Sequence, residues 1–145
     1  MMVMADEGPV RPIIRRLTQL GFATSGYVTI IWAGWLFSGT ELRDFWGLHL
    51  LWMLFAAIPL VLVWGLRKRS SYAHYLLIRA SFGGVVFGIG WIVLMVGGGA
   101  VRRELFVWSC VLAGGGIPFG AYGYWQATRP ALVEWIEGHR TGADS

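Results

Sequence analysis

The 145-residue chain contains one cysteine and five prolines, and charged residues make up only 14% of it. A lone cysteine, Cys110, excludes an intrachain disulfide and any metal site built from thiolates alone. The scarcity of charge excludes an ordinary soluble surface, on which charged residues are about twice as frequent. Acidic residues are missing from every long apolar run, which argues against a proton- or cation-coupled transporter, because such proteins carry membrane-embedded carboxylates. No nucleophile has a base at hand, no acidic pair appears, and no cluster of metal ligands is present, so catalysis is not expected. The strings GGGA and AGGG lack the Lys-Ser/Thr that completes a phosphate loop. MMVMADEGPVRP does not have the charged, apolar and cleavage regions of a removable signal peptide, and none is expected. The net charge of +4 comes from short Lys/Arg clusters between apolar runs, which speaks against nucleic-acid binding.

What is abundant is apolar sequence, at 56% hydrophobic with a mean hydropathy of +0.57. Four runs, residues 17–37, 45–66, 75–96 and 105–126, each approach the roughly 20 residues that cross a hydrocarbon core. Backbone groups in lipid must satisfy one another, so such runs are expected to be helices. SGTELRD, RKRSSYAH and GGGAVRRE are short connections that force antiparallel neighbours. The expected fold is an all-α, up-down four-transmembrane-helix bundle forming one membrane domain.

Arg11, Arg15, Arg16, Arg67, Lys68, Arg69, Arg79, Arg129 and Arg140 fall on one side of this arrangement, and only Arg43, Arg102 and Arg103 on the other. Positive-inside asymmetry then places both termini in the cytoplasm, with the chain in an inner (plasma) membrane. Arg15, Arg16, Arg67, Lys68, Arg69 and Arg79 form a candidate site for anionic lipid head groups. In RPALVEWIEGHR, Pro130 suits a helix start, Gly138 a stop, and Leu132 and Ile136 share a face. A short cytoplasmic helix over residues 130–138, lying on the bundle's own end, is expected.

Sliding the chain on itself brings Gly21, Ser25 and Thr29 onto Ala80, Gly84 and Gly88, an offset of 59 residues. The same offset brings Pro59 onto Pro118, so the chain reads as two tandem helical hairpins. The small residues, with Gly116 and Gly120 in the fourth run, are expected to be helix-packing positions, within the chain or against a neighbour.

His49 sits near the outer end of the second run, at a depth shared by Trp32, Trp52, Trp91 and Trp108. Two readings follow. One is an interior histidine satisfied by a neighbour, and the other is a ligand or donor to a lipophilic cofactor such as a quinone or tetrapyrrole in an aromatic pocket. A second histidine at that depth is missing, so a bis-histidine haem is not expected. No particular cofactor is indicated. The expected function is a non-catalytic accessory subunit, partnered by the lipid bilayer and by other membrane subunits or copies of itself. A respiratory or photosynthetic complex is one such assembly. The alternatives are a cofactor- or quinone-binding anchor centred on His49 and a small oligomeric transporter or channel.

Overall fold

The computed structural model describes residues 8–37, 46–97 and 103–143; the side chains of residues 48, 95, 103–106, 108–109, 112 and 139–143 lie outside that description. The described residues form five helices and no strands: α1 (Arg11–Phe37), α2 (Trp46–Arg67), α3 (Ser71–Gly97), α4 (Arg103–Ala127) and α5 (Pro130–Ala143). Three of them, α1, α2 and α3, are long and apolar enough to cross a membrane. Their outward surfaces carry large hydrophobic side chains such as Ile30, Leu94 and Val96, each about 70% exposed. Contiguous apolar surface of this kind marks a membrane protein. At 25 residues α4 is long enough to span as well, although most side chains of its first ten residues lie outside the described residues.

The helices close a ring in which α1 packs on α2 and α4, and α3 packs on α2 and most extensively on α4. One end of the ring gathers the start of α1, the α2–α3 turn, the end of α4 and all of α5. The most continuous core lies there: Val10, Ile13 and Leu17 of α1 with its lead-in, Leu62 and Leu66 of α2, Leu77 of α3, and Leu132 and Ile136 of α5.

This end explains why α1 and α3 extend beyond the apolar runs. α1 starts at Arg11 rather than at residue 17, because Ile13 and Leu17 bury one face while Arg15 and Arg16 point to solvent. Pro12 sits in the first turn, where its missing N–H costs no helical hydrogen bond. α3 starts at Ser71, capped by the Ser70 hydroxyl, which accepts from the Ala73 N–H at 3.3 Å.

The turn between α2 and α3 is tight. Ser70 N–H donates to the Gly65 carbonyl at 3.1 Å and Arg69 N–H to that of Leu66 at 2.9 Å, a Schellman pattern that needs a left-handed residue. That residue is Arg69, at φ 57°, where glycine is the usual occupant. Its guanidinium lies 4.3 Å from the centre of the Trp135 ring, a cation–π contact that ties the turn to α5 and offsets the backbone strain. Gly65 allows the hairpin to close, since a Cβ there would come within 2.6 Å of the Ala73 Cβ.

α5 runs to Ala143 and does not stop at Gly138, an exposed position with open space around its Cα. It lies on the bundle as Leu132 and Ile136 indicated, the first of them fully buried. His74 of α3 holds the end of α4, its Nε2 2.7 Å from the Ala127 carbonyl, one of the acceptors the helix leaves unpaired at its last turn.

Candidate membrane-embedded and lipid-facing sites

The small residues divide into two sets by what surrounds them. In the first set, a Cβ on Gly21 would meet Val63 at 3.0 Å and the Pro59 carbonyl oxygen at 3.4 Å, which places α1 close against α2. Gly84 and Gly116 face each other across α3 and α4, each virtual Cβ lying 3.4 to 3.6 Å from the other's carbonyl oxygen. Gly88 meets the Ala113 carbonyl oxygen at 3.0 Å, and Gly120 meets that of Ser81 at 2.6 Å. The space above Gly115 holds the Tyr27 ring of α1, whose hydroxyl donates to the Val111 carbonyl and whose edge meets Phe119. Gly115, Gly116, Gly120 and Gly123 of α4 thus receive α1 and α3 of the same chain.

Three of the expected packing positions are not fully buried within the chain, which leaves packing against a neighbour open for them. Ala80 and Thr29 are exposed, and Ser25 is half-buried with its carbonyl bonded by Thr29 Oγ1 at 2.8 Å. The row that meets α4 is Ser81, Gly84 and Gly88 rather than Ala80, Gly84 and Gly88. A strict four-residue repeat drifts about 40° per step around a helix of 3.6 residues per turn, so three members cannot all hold one contact line. The 59-residue offset behaves similarly. It carries the contact of Gly21 with Pro59 and Val63 to the level of Gly120, but the residue met there is Ser81, one position past Ala80. The two hairpins share contact depth and differ in the face presented.

In the second set, Gly26, Gly83, Gly90, Gly97 and Gly114 would place a Cβ in open space. Three of these, Gly83, Gly90 and Gly97, recur every seven residues along α3, a spacing that drifts only about 20° per step. Exposed Val86, Phe87, Val93 and Leu94 flank them, leaving notches between bulky side chains.

His49 faces α1. Trp32 Nε1–H donates to His49 Nδ1 at 3.2 Å, which places the imidazole proton on Nε2, and the Trp35 ring lies 5.9 Å away, centre to centre. The α1–α2 contact therefore engages the nitrogen nearest Trp32. Trp52 is half-buried, and Trp91 stacks on Phe87 of its own helix at 5.5 Å. The Trp108 side chain lies outside the described residues. Among the described residues no group of His, Cys, Asp or Glu could hold a metal ion. His49→Leu is expected to destabilise the chain by about 1 kcal/mol, through loss of a buried hydrogen bond, and to shift Trp32 fluorescence; thermal melts with emission spectra in mild detergent check both.

The basic residues also separate. Lys68 lies over Trp64 at 3.7 Å, Arg69 over Trp135, Arg79 over Tyr75 at 4.3 Å and Arg129 over Trp125 at 4.2 Å. Among the described residues, neither such a ring nor a carboxylate pairs with Arg11, Arg15, Arg16 or Arg67. Arg11, Arg15 and Arg67 line a groove of about 540 Å³ whose apolar wall includes Ile14, Phe22 and Trp135. Arg11 and Arg15 also border an adjoining hollow of about 440 Å³ with Gly8 and Pro12. Arg11 drew no attention in the sequence as a site residue, because membership depends on where α5 brings Trp135.

No family model, no curated protein and no solved structure matches the chain.

Among the described residues, two buried polar atoms are without hydrogen-bond partners. Gln126, fully buried in the core at the α5 end, donates from Nε2 to the Tyr122 hydroxyl at 3.0 Å and leaves Oε1 unbonded. Trp135 Nε1 is likewise unbonded. Neither was legible from the sequence, which placed Gln126 merely at the end of an apolar run.

Proposed function

We propose that the chain is a non-catalytic accessory subunit of a larger membrane assembly, spanning the membrane with α1 to α4 and docking through the outward face of α3. The observation that carries this reading is the row Gly83, Gly90 and Gly97, where no described atom lies within 4 Å of an added Cβ. Glycine inside a helix costs roughly 1 kcal/mol relative to alanine. The inward glycines recover that cost by letting α1, α3 and α4 approach closely; these three recover nothing within the chain. In lipid the hydrophobic effect does not join helices, and notches of small residues are the means by which a foreign helix gains van der Waals contact. The seven-residue spacing suits a partner helix crossing at the shallow angle common in membrane bundles.

Both termini and α5 would lie on the cytoplasmic side, following the concentration of Arg11, Arg15, Arg16, Arg67, Lys68, Arg69, Arg79 and Arg129 at that end. α4 would complete the fourth span, its backbone held helical by the bilayer despite Gly114, Gly115, Gly116 and Pro118.

The test is a Gly83→Leu/Gly90→Leu variant extracted from native membranes in mild detergent. The unsubstituted chain is expected to migrate with a second membrane polypeptide at fixed stoichiometry. The variant is expected to retain its helicity and migrate alone. A wild-type chain that migrates as a monomer would remove this reading.

A further inference from the structure

We propose that the groove between α1, the end of α2 and α5 is a specific site for an anionic phospholipid, with its phosphate on Arg11, Arg15 and Arg67 and its acyl chains running toward Phe22. The first argument is charge. These three arginines line one groove, and no described carboxylate neutralises them, while Lys68, Arg69, Arg79 and Arg129 each rest on an aromatic ring. Arginine presents a planar fork of donors that matches phosphate oxygens. The start of α1 adds the positive end of the helix dipole at Arg11.

The second argument is the order of polarity along the groove. Arg11, Arg15, Gln19 and Phe22 follow one another down α1 on the groove side, so the lining passes from charged through neutral polar to apolar over roughly 16 Å of helix. A phospholipid changes in the same order, from phosphate through ester carbonyls to hydrocarbon. Free phosphate would use the arginine rim alone and leave the trench beside Phe22, which is 64% exposed, without a function. A groove of about 540 Å³ exceeds what one inorganic phosphate needs and suits a headgroup with the first part of its chains.

The structure also narrows the set of basic residues that a sequence-level reading makes equivalent. Arg67 and Arg15 belong to the site and Arg11 joins them, whereas Lys68, Arg69 and Arg79 are committed to rings.

The full chain, reconstituted in vesicles of equal parts phosphatidylglycerol and phosphatidylcholine and re-extracted in mild detergent, tests this through the lipid it retains. Phosphatidylglycerol is expected to be retained in preference, and Arg11→Gln/Arg15→Gln/Arg67→Gln to lose about tenfold or more of that preference, while Lys68→Gln/Arg79→Gln/Arg129→Gln keeps it. Equal losses in the two triple variants, or no preference in the unsubstituted chain, would overturn the site. If the first triple variant loses helicity, Arg15→Gln and Arg67→Gln are read singly, each expected to cost about fivefold. To separate the two phosphate sources, delipidated protein is melted with inorganic phosphate or with phosphatidylglycerol. Only the lipid is expected to raise the melting temperature, and a Phe22→Ser change to reduce that rise; equal stabilisation by inorganic phosphate, indifferent to Phe22→Ser, would overturn the assignment to lipid.

Discussion

Gly120→Leu is expected to destabilise the folded chain by about 3 kcal/mol, the upper part of the range for overpacking a filled contact. A Cβ at this position would lie 2.6 Å from the Ser81 carbonyl oxygen, 3.0 Å from Val85 Cγ2 and 3.2 Å from the Val85 amide nitrogen. Two of the three atoms are backbone, so a rotamer change cannot relieve the crowding and α3 must move away from α4. That movement would also open the pairing of Gly84 with Gly116 and the seat of Gly88 on Ala113. The control is Gly114→Ala on the same helix, where nothing lies within 4 Å; it should stabilise by about 0.5–1 kcal/mol through helix propensity. Thermal unfolding of both variants in one mild detergent measures the contrast. Equal melting temperatures for the two would show that α3 and α4 do not meet at this depth.

Leu132→Ala is expected to cost about 2–5 kcal/mol, the range for removing a fully buried leucine, and to release α5 while the other helices persist. Leu132 is completely buried in a cluster with Ile13, Leu17, Leu66 and Ile136, which holds five segments together at the α5 end. Without the leucine, Ile136 and the Arg69–Trp135 stack are left to hold α5, and the stack contributes only about 1 kcal/mol. Hydrogen exchange should then rise across residues 130–138 and in the α2–α3 turn, where Arg69 loses the contact that offsets its φ of 57°. Lipid retention should fall with it, because Trp135 is part of the groove wall. Protection of residues 130–138 equal to that of the unsubstituted chain would contradict this account of how α5 is held.

The existence of the helices, the shortness of their connections and the docking of α5 could be read from the residues, because each rests on a local rule. Apolar runs mark the long helices, RKRSSYAH is a connection short enough to make neighbouring helices antiparallel, and Leu132 and Ile136 are one turn apart. The runs place the start of α1 at residue 17 and that of α3 at residue 75, since they register where hydrocarbon would begin. The helices begin at Arg11 and Ser71 because the α5 end supplies a packed core beyond it.

What could not be read is which glycines face in. Gly83 and Gly84 are neighbours in sequence, yet one meets α4 and the other meets nothing, a difference of about 100° around the helix. Periodicity marks both as small and cannot choose between them. The choice is made by the orientation of α3 against α4, which depends on contacts such as Ser81 with Gly120 and Gly123 that join distant parts of the chain. His49 was similarly ambiguous. Its depth and aromatic surroundings were visible from the sequence, but the donor to Nδ1 is Trp32, seventeen residues earlier on another helix.

The accessory-subunit reading rests on the outward α3 face, and one measurement addresses it directly: a photoreactive amino acid placed at Gly90, and separately at Gly84, followed by irradiation of native membranes. The Gly90 probe is expected to give a discrete adduct with another membrane polypeptide, and the Gly84 probe, which faces Gly116 within the chain, to give none. Adducts with lipid alone from Gly90 would contradict the proposed docking face.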